Sequence, residues 1–122
     1  MKFLSIWTPD PKTARLPPSK EYMEEMGKLV EESMKAGTLL ATGGLLPVSR
    51  GGARVRSSGG KITVIDGPFT ESKELIAGFA ILQAKSKEEA IEAAKRFHKV
   101  AGDGESELRQ IMEGPDGDFA TR

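Results

Sequence analysis

Apolar side chains recur along this chain at two different periods, and each switch of period marks an element. Phe3, Leu4, Ile6 and Trp7 form a short strand-like run. Thr8-Pro9-Asp10-Pro11 should stop it, because proline has no amide hydrogen to give a ladder. Ser19 is placed to accept backbone hydrogen bonds at a helix start. Tyr22, Met23, Met26, Leu29, Val30 and Met34 then follow at helical spacing until Gly37 offers a left-handed cap. This helix is expected to bury one face. Thr38 to Leu46 predicts a second strand ending at Pro47, and Gly43-Gly44 within it suggests a bulge or the close approach of a backbone or ligand.

After a loop from Val48 to Gly52, Ala53 to Arg56 and Lys61 to Ile65 flank Ser57-Ser58-Gly59-Gly60, where the glycines permit a hairpin turn. These read as two strands of a meander. Ala77 to Ala84 is continuously apolar and predicts a central strand buried on both faces. Ser86-Lys87-Glu88-Glu89 fits a capping box, with Ala90, Ile91, Ala94 and Phe97 as the stripe of a second helix. Glu107 to Met112 alternates charged and apolar residues as a last strand. Gly114-Pro115-Asp116-Gly117-Asp118 then opens a mobile tail. One domain over 1–113 followed by a tail over 114–122 is the expected organisation.

Two helices separated by strands predict an α+β, ferredoxin-like split βαβ arrangement with an added hairpin, its helices on one face of an antiparallel sheet. The other face carries apolar residues too, and a second copy of the same sheet would cover it, so a homodimer is expected. Composition narrows the partners. Eighteen basic and eighteen acidic residues give no net charge, which argues against nucleic acid or anionic lipid as the partner. The longest apolar run, Leu75 to Leu82, is far too short for a membrane span, and the N-terminal apolar run too short for a signal-peptide core. The absence of cysteine suits a cytoplasmic protein. With a single histidine and no cysteine, no metal constellation is visible, and the glycine pairs do not form a phosphate cradle: Ile62 stands where a P-loop needs Ser or Thr. No cofactor is expected.

The densest chemistry lies in Asp66-Gly67-Pro68-Phe69-Thr70-Glu71-Ser72-Lys73-Glu74, a turn with four ionisable groups between two strand-like runs. With Gly37-Thr38-Leu39-Leu40, Gly44-Leu45-Leu46-Pro47, Gly78-Phe79 and Glu107-Leu108-Arg109-Gln110-Ile111, it resembles the DGPF branch of the YCII-related proteins over nearly the whole chain. The resemblance implies a dimeric α/β barrel of two facing ferredoxin-like sheets, with a cleft near the motif turn. It also implies a link to extracytoplasmic-function sigma factors. Another YCII-related branch includes a dehydrochlorinase-type enzyme that relies on a histidine and aspartate pair. This chain departs from that pattern: its one histidine, His98, lies at the end of the second helix, where DGPF-branch relatives commonly carry proline.

Asp66 can bond its own downstream amides, so Asp66-Gly67-Pro68 serves equally to fold a turn. The functional reading aims Asp66, Glu71, Lys73 and Glu74 into a cleft at the dimer interface, where lysine beside carboxylates would hold a polar or anionic ligand. Solvated ion pairs are the plainer reading of the same residues. Phe69 and Phe79 would wall such a cleft or serve as core. Glu107 and Arg109, two apart on one strand, point to the same side and would pair with each other or with the turn. Arg50, Arg54, Arg56 and Lys61 gather on the hairpin without an aromatic platform, as a solvated face does.

Three function classes follow. The leading one is a homodimeric sensor or accessory protein binding a small polar or anionic molecule. The second is an acid–base enzyme with Asp66 as base and Lys73 or Arg109 stabilising negative charge. The third is an interaction module linked to sigma-factor regulation. Whether the protein is an enzyme is left open at this level.

Overall fold

A computed structural model describes residues 1–13, 18–67 and 76–113. Its elements in chain order are β1 (Lys2–Pro9), α1 (Lys20–Lys35), β2 (Leu39–Gly44), β3 (Arg54–Ser58), β4 (Lys61–Ile65), β5 (Gly78–Gln83), α2 (Lys87–Ala101) and β6 (Gly104–Gln110). The expected C-terminal tail lies outside the described residues. Both helices start at the serines that the sequence offers as caps. Ser19 Oγ accepts from the Tyr22 amide at 3.1 Å and Ser86 Oγ from the Glu89 amide at 3.2 Å.

Four strands form one antiparallel sheet in the order β2-β5-β1-β6. With a helix after β1 and another after β5, this is the ferredoxin-like arrangement. β1 outlasts the stop expected at Thr8-Pro9. Its neighbour β5 ends at the Trp7–Gly78 pair, so beyond it only β6 is alongside, and Pro9 sits opposite Gly104. The last strand likewise begins at Gly104 rather than Glu107, because β1 supplies a pairing edge that far. β2 stops at Gly44, leaving Leu45 and Leu46 exposed outside the strand. Its bulge lies between Leu39 and Ala41 rather than at Gly43-Gly44, and it turns Leu39, Thr42 and Gly44 toward the helices.

β3 and β4 are not strands of a meander. Among the described residues they pair only with each other, as a separate ribbon closed by Gly59 and Gly60, whose φ angles of +57° and +82° suit a two-residue hairpin turn. The buried core is small: Phe3, Leu39, Leu82, Ala84 and Ala90, with Val30, Ala80, Ala93 and Leu108 against it. β5 is central, as expected, but not buried on both faces. Only Gly78 and Leu82 within it are buried: one side opens to a cleft, and on the other Phe79, Ile81 and Gln83 stay partly exposed. α1 likewise buries no residue fully. Among the described residues no helix is long and apolar enough to cross a membrane.

Two glycines test the backbone reading with opposite signs. A Cβ at Gly104 would meet the Trp7 ring, the Thr8 carbonyl oxygen at 2.6 Å and Pro9 Cα at 2.9 Å, whereas one at Gly27 in α1 would meet nothing. Gly104→Ala should lower unfolding free energy by about 1–3 kcal/mol, as overpacking does. Gly27→Ala should raise it by roughly 0.5–1 kcal/mol through helix propensity, both read by urea unfolding.

Candidate functional site

The helix-facing side chains of the sheet shrink from one end to the other. Across β2, β5 and β1, register aligns Leu39, Leu82 and Phe3 in a first row, Thr42, Ala80 and Ser5 in a second, and Gly44, Gly78 and Trp7 in a third. The first row fills the space beneath the helices and makes the core. The second and third rows cannot, apart from Trp7, because hydroxyl, methyl and hydrogen substituents are too short to reach the helices. A cleft of about 720 Å³ results, within the range of roughly 300–1,000 Å³ usual for small-molecule sites.

Trp7 and Phe97 form its aromatic wall, Tyr22, Met26 and Leu29 of α1 close it from the helix side, and the exposed Arg96 and Asp103 stand at its margin. Ser5, Ser33 and Thr38 add hydroxyl groups to the lining. Thr38 Oγ1 donates to the Ser33 carbonyl at 3.2 Å and Thr42 Oγ1 to the Phe79 carbonyl at 2.9 Å, so these two hydroxyls already have protein partners. The result is an apolar chamber with few polar handles, the usual composition of a site for a small, mostly apolar molecule.

Trp7 is fixed from three sides. Its carbonyl accepts the Ala77 amide at 2.8 Å. Phe97 meets its ring edge-on at 5.0 Å and 83°, and His98 does so at 5.0 Å and 90°. The His98 ring is itself held by a 2.8 Å hydrogen bond between Nε2 and Ser106 Oγ. His98 does not line the cleft; it buttresses the tryptophan that does.

The family profile for the YCII-related domain matches residues 1–114. The chain belongs to the YCII-related family. It is 33% identical over 76 residues to an uncharacterized protein of Rhizobium meliloti, a match that takes in 62% of this chain and 60% of that protein's length. A solved structure of similar fold is the 5-chloro-2-hydroxyhydroquinone dehydrochlorinase of Burkholderia phenoliruptrix in complex with 2,5-dihydroxybenzoquinone. It has a TM-score of 0.51 and 14% identity, over 97% of this chain and all of that one.

This YCII-related chain distributes its sequence-derived candidates over separate places. Asp66 follows β4, is exposed in the single chain and does not line the cleft. Phe69, Glu71, Lys73 and Glu74 lie outside the described residues. Arg109 and Glu107 share the open face of the sheet, opposite Leu4 and Ile6, and are exposed there. Phe79 pairs with Ile6 on that face, its ring laid across Gly43, where an added Cβ would stand 2.9 Å from Cε1. It also borders the cleft, beside the edge strand β2. The close approach expected at Gly43-Gly44 is therefore made by a side chain of the neighbouring strand. The small residues that open the cleft escaped sequence reading. The one signal for them, glycine and alanine at alternate positions of β5, means nothing until register sets it beside Ser5 and Thr42.

His98→Ala should destabilise the protein by about 1–2 kcal/mol by removing one hydrogen bond and one ring contact. His98→Gln, which keeps a hydrogen-bonding group, should recover part of that loss in the same urea titration.

Proposed function

We propose that this protein binds a small molecule with a flat, largely apolar body in the cleft between sheet and helices, and that it works as a homodimer joined through its open sheet faces. The observation that carries the binding reading is the cleft itself, open because small residues occupy two rows of the sheet and walled by Trp7 and Phe97. Arg96 and Asp103 at the margin would orient a ligand's polar group. The same fold in the dehydrochlorinase accompanies a flat cyclic ligand, 2,5-dihydroxybenzoquinone, which supports the choice of ligand shape. Partly exposed Leu4, Ile6, Phe79 and Ile81 on the other face support the dimer.

Binding is favoured over catalysis because, among the described residues that line the cleft, the one carboxylate is Asp103, which stands exposed at the margin. A sensor or accessory role fits a chamber whose interior supplies hydroxyls and a phenol. The polar or anionic ligand expected from residues 66–74 gives way here to an apolar body with a polar edge. A sigma-factor link rests on family resemblance and is a separate proposal.

The chain has one tryptophan, so the Trp7 indole N–H gives a single, directly readable NMR signal. A panel of monocyclic and bicyclic aromatic fragments, 2,5-dihydroxybenzoquinone among them, should shift that signal saturably. Ala80→Phe, which fills the middle row, should abolish the shift while leaving the fold intact. Fragments that perturb only scattered surface amides, or that bind Ala80→Phe equally well, would overturn the assignment.

A further inference from the structure

We propose that the β3–β4 ribbon is a docking arm for a second copy of this chain, its apolar face lying on the body of the partner protomer. This rests on the homodimer reading above and names an element that holds the dimer together.

Register puts Val55 opposite Val64 and Ser57 opposite Ile62, so Val55, Ile62 and Val64 share one face of the ribbon. All three are bare: 66%, 70% and 63% exposed. Every residue of β3 is exposed, and all of β4 except Ile65. Among the described residues, neither strand packs substantially against any other strand or helix. A lone two-stranded hairpin in water is marginally stable at best, and this one turns its β-branched residues to solvent. A partner surface laid on that face would remove it from water.

Topology makes the ribbon an arm. It is inserted in the connection between β2 and β5, which pair with each other up to Gly44 and Gly78 and are tied once more by the Leu45 amide donating to the Ala77 carbonyl at 2.9 Å. The insertion therefore leaves the sheet at one end of an edge strand rather than extending the sheet itself.

Charge identifies the occupant. Residues 50–65 hold Arg50, Arg54, Arg56 and Lys61 and no carboxylate. Four of the chain's eighteen basic residues are thus in the arm, and the rest of the chain keeps fourteen against eighteen acidic ones. A neutral chain that divides into a basic arm and an acidic body is complementary to its own copy, in the sense that steers association. The apolar surfaces match as well. The arm's β-branched face is bare, and Leu4, Ile6, Phe79 and Ile81 on the open sheet face keep part of their surface exposed in one protomer. Two-fold symmetry would use both contacts twice.

The test uses the full-length protein. Sedimentation equilibrium should give twice the 13.2 kDa chain mass for the wild type. Ile62→Lys/Val64→Lys should weaken the dimer at least about 100-fold, as expected for two apolar side chains lost from an interface, with unchanged far-ultraviolet circular dichroism. A photo-crosslinking residue, p-benzoylphenylalanine, in place of Ile62 should yield a dimer-mass product whose attached peptide comes from the body of the other copy. A wild-type dimer that the lysine pair leaves intact, with cross-links only within one chain, would overturn the arm and leave the sheet-face dimer standing. A monomeric wild type would overturn both. Duplex DNA that binds through Arg54 and Arg56, with self-association unaffected by the lysine pair, would assign the ribbon to nucleic acid and also overturn the proposal.

Discussion

The molecule is organised by a gradient of side-chain size on one face of its sheet. Where Leu39, Leu82 and Phe3 stand side by side, the helices come down on them and bury Ala90 completely. Two residues further along each of β1 and β5, the same surface carries Ser5 and Ala80 beside Thr42, and beyond them Gly78 and Gly44. Protein interiors are close-packed, so a helix held over short side chains by a well-packed opposite end leaves a space it cannot fill. The bulge in β2 belongs to the same device. Without the shift between Leu39 and Ala41, strand alternation would turn Ala41 and Gly43 inward in place of Thr42 and Gly44. Trp7, large in a row of glycines, is the exception that shapes the space. Its indole supplies an aromatic wall, and Phe97 and His98 hold it upright.

The opposite face and the ribbon share a different shortage, that of cover. Among the described residues the buried core is five side chains, and eleven large apolar residues are exposed. Small domains commonly complete their burial by association, and the positive charge gathered in residues 50–65 would steer the association proposed above. In the proposed homodimer, the exposed apolar surface of the ribbon and the partly exposed sheet face would be buried together.

How much of this the sequence carried depends on whether a feature is local. Ser19 and Ser86 act through hydrogen bonds three residues away, and Gly59-Gly60 through their own torsions, so both caps and the hairpin turn were legible. Strand limits were not. Pro9 stays in β1 because of what lies beside it, and Glu105 joins β6 for the same reason, which no local propensity records. The candidate site split along the same line. The motif around Asp66 was conspicuous because its charges adjoin in sequence; Asp66 itself is exposed in the single chain, and residues 68–74 of the motif lie outside the described residues. The cleft residues come from β1, β2, β5 and both helices, none remarkable alone, and only register assembles them. His98 was legible as a residue at a helix end; its tie to Ser106 and its contact with Trp7 needed the packing of α2 over β6 and β1.

The claim on which the rest turns is that the space beneath the helices is real and apolar. A crystal structure of the ligand-free protein under xenon pressure tests it most directly, since xenon enters apolar cavities without needing a polar partner. Xenon density between Ala80, Met26 and Phe97 is the expected result. Helices settled onto Ala80 and Gly78, leaving no site for the gas, would contradict it.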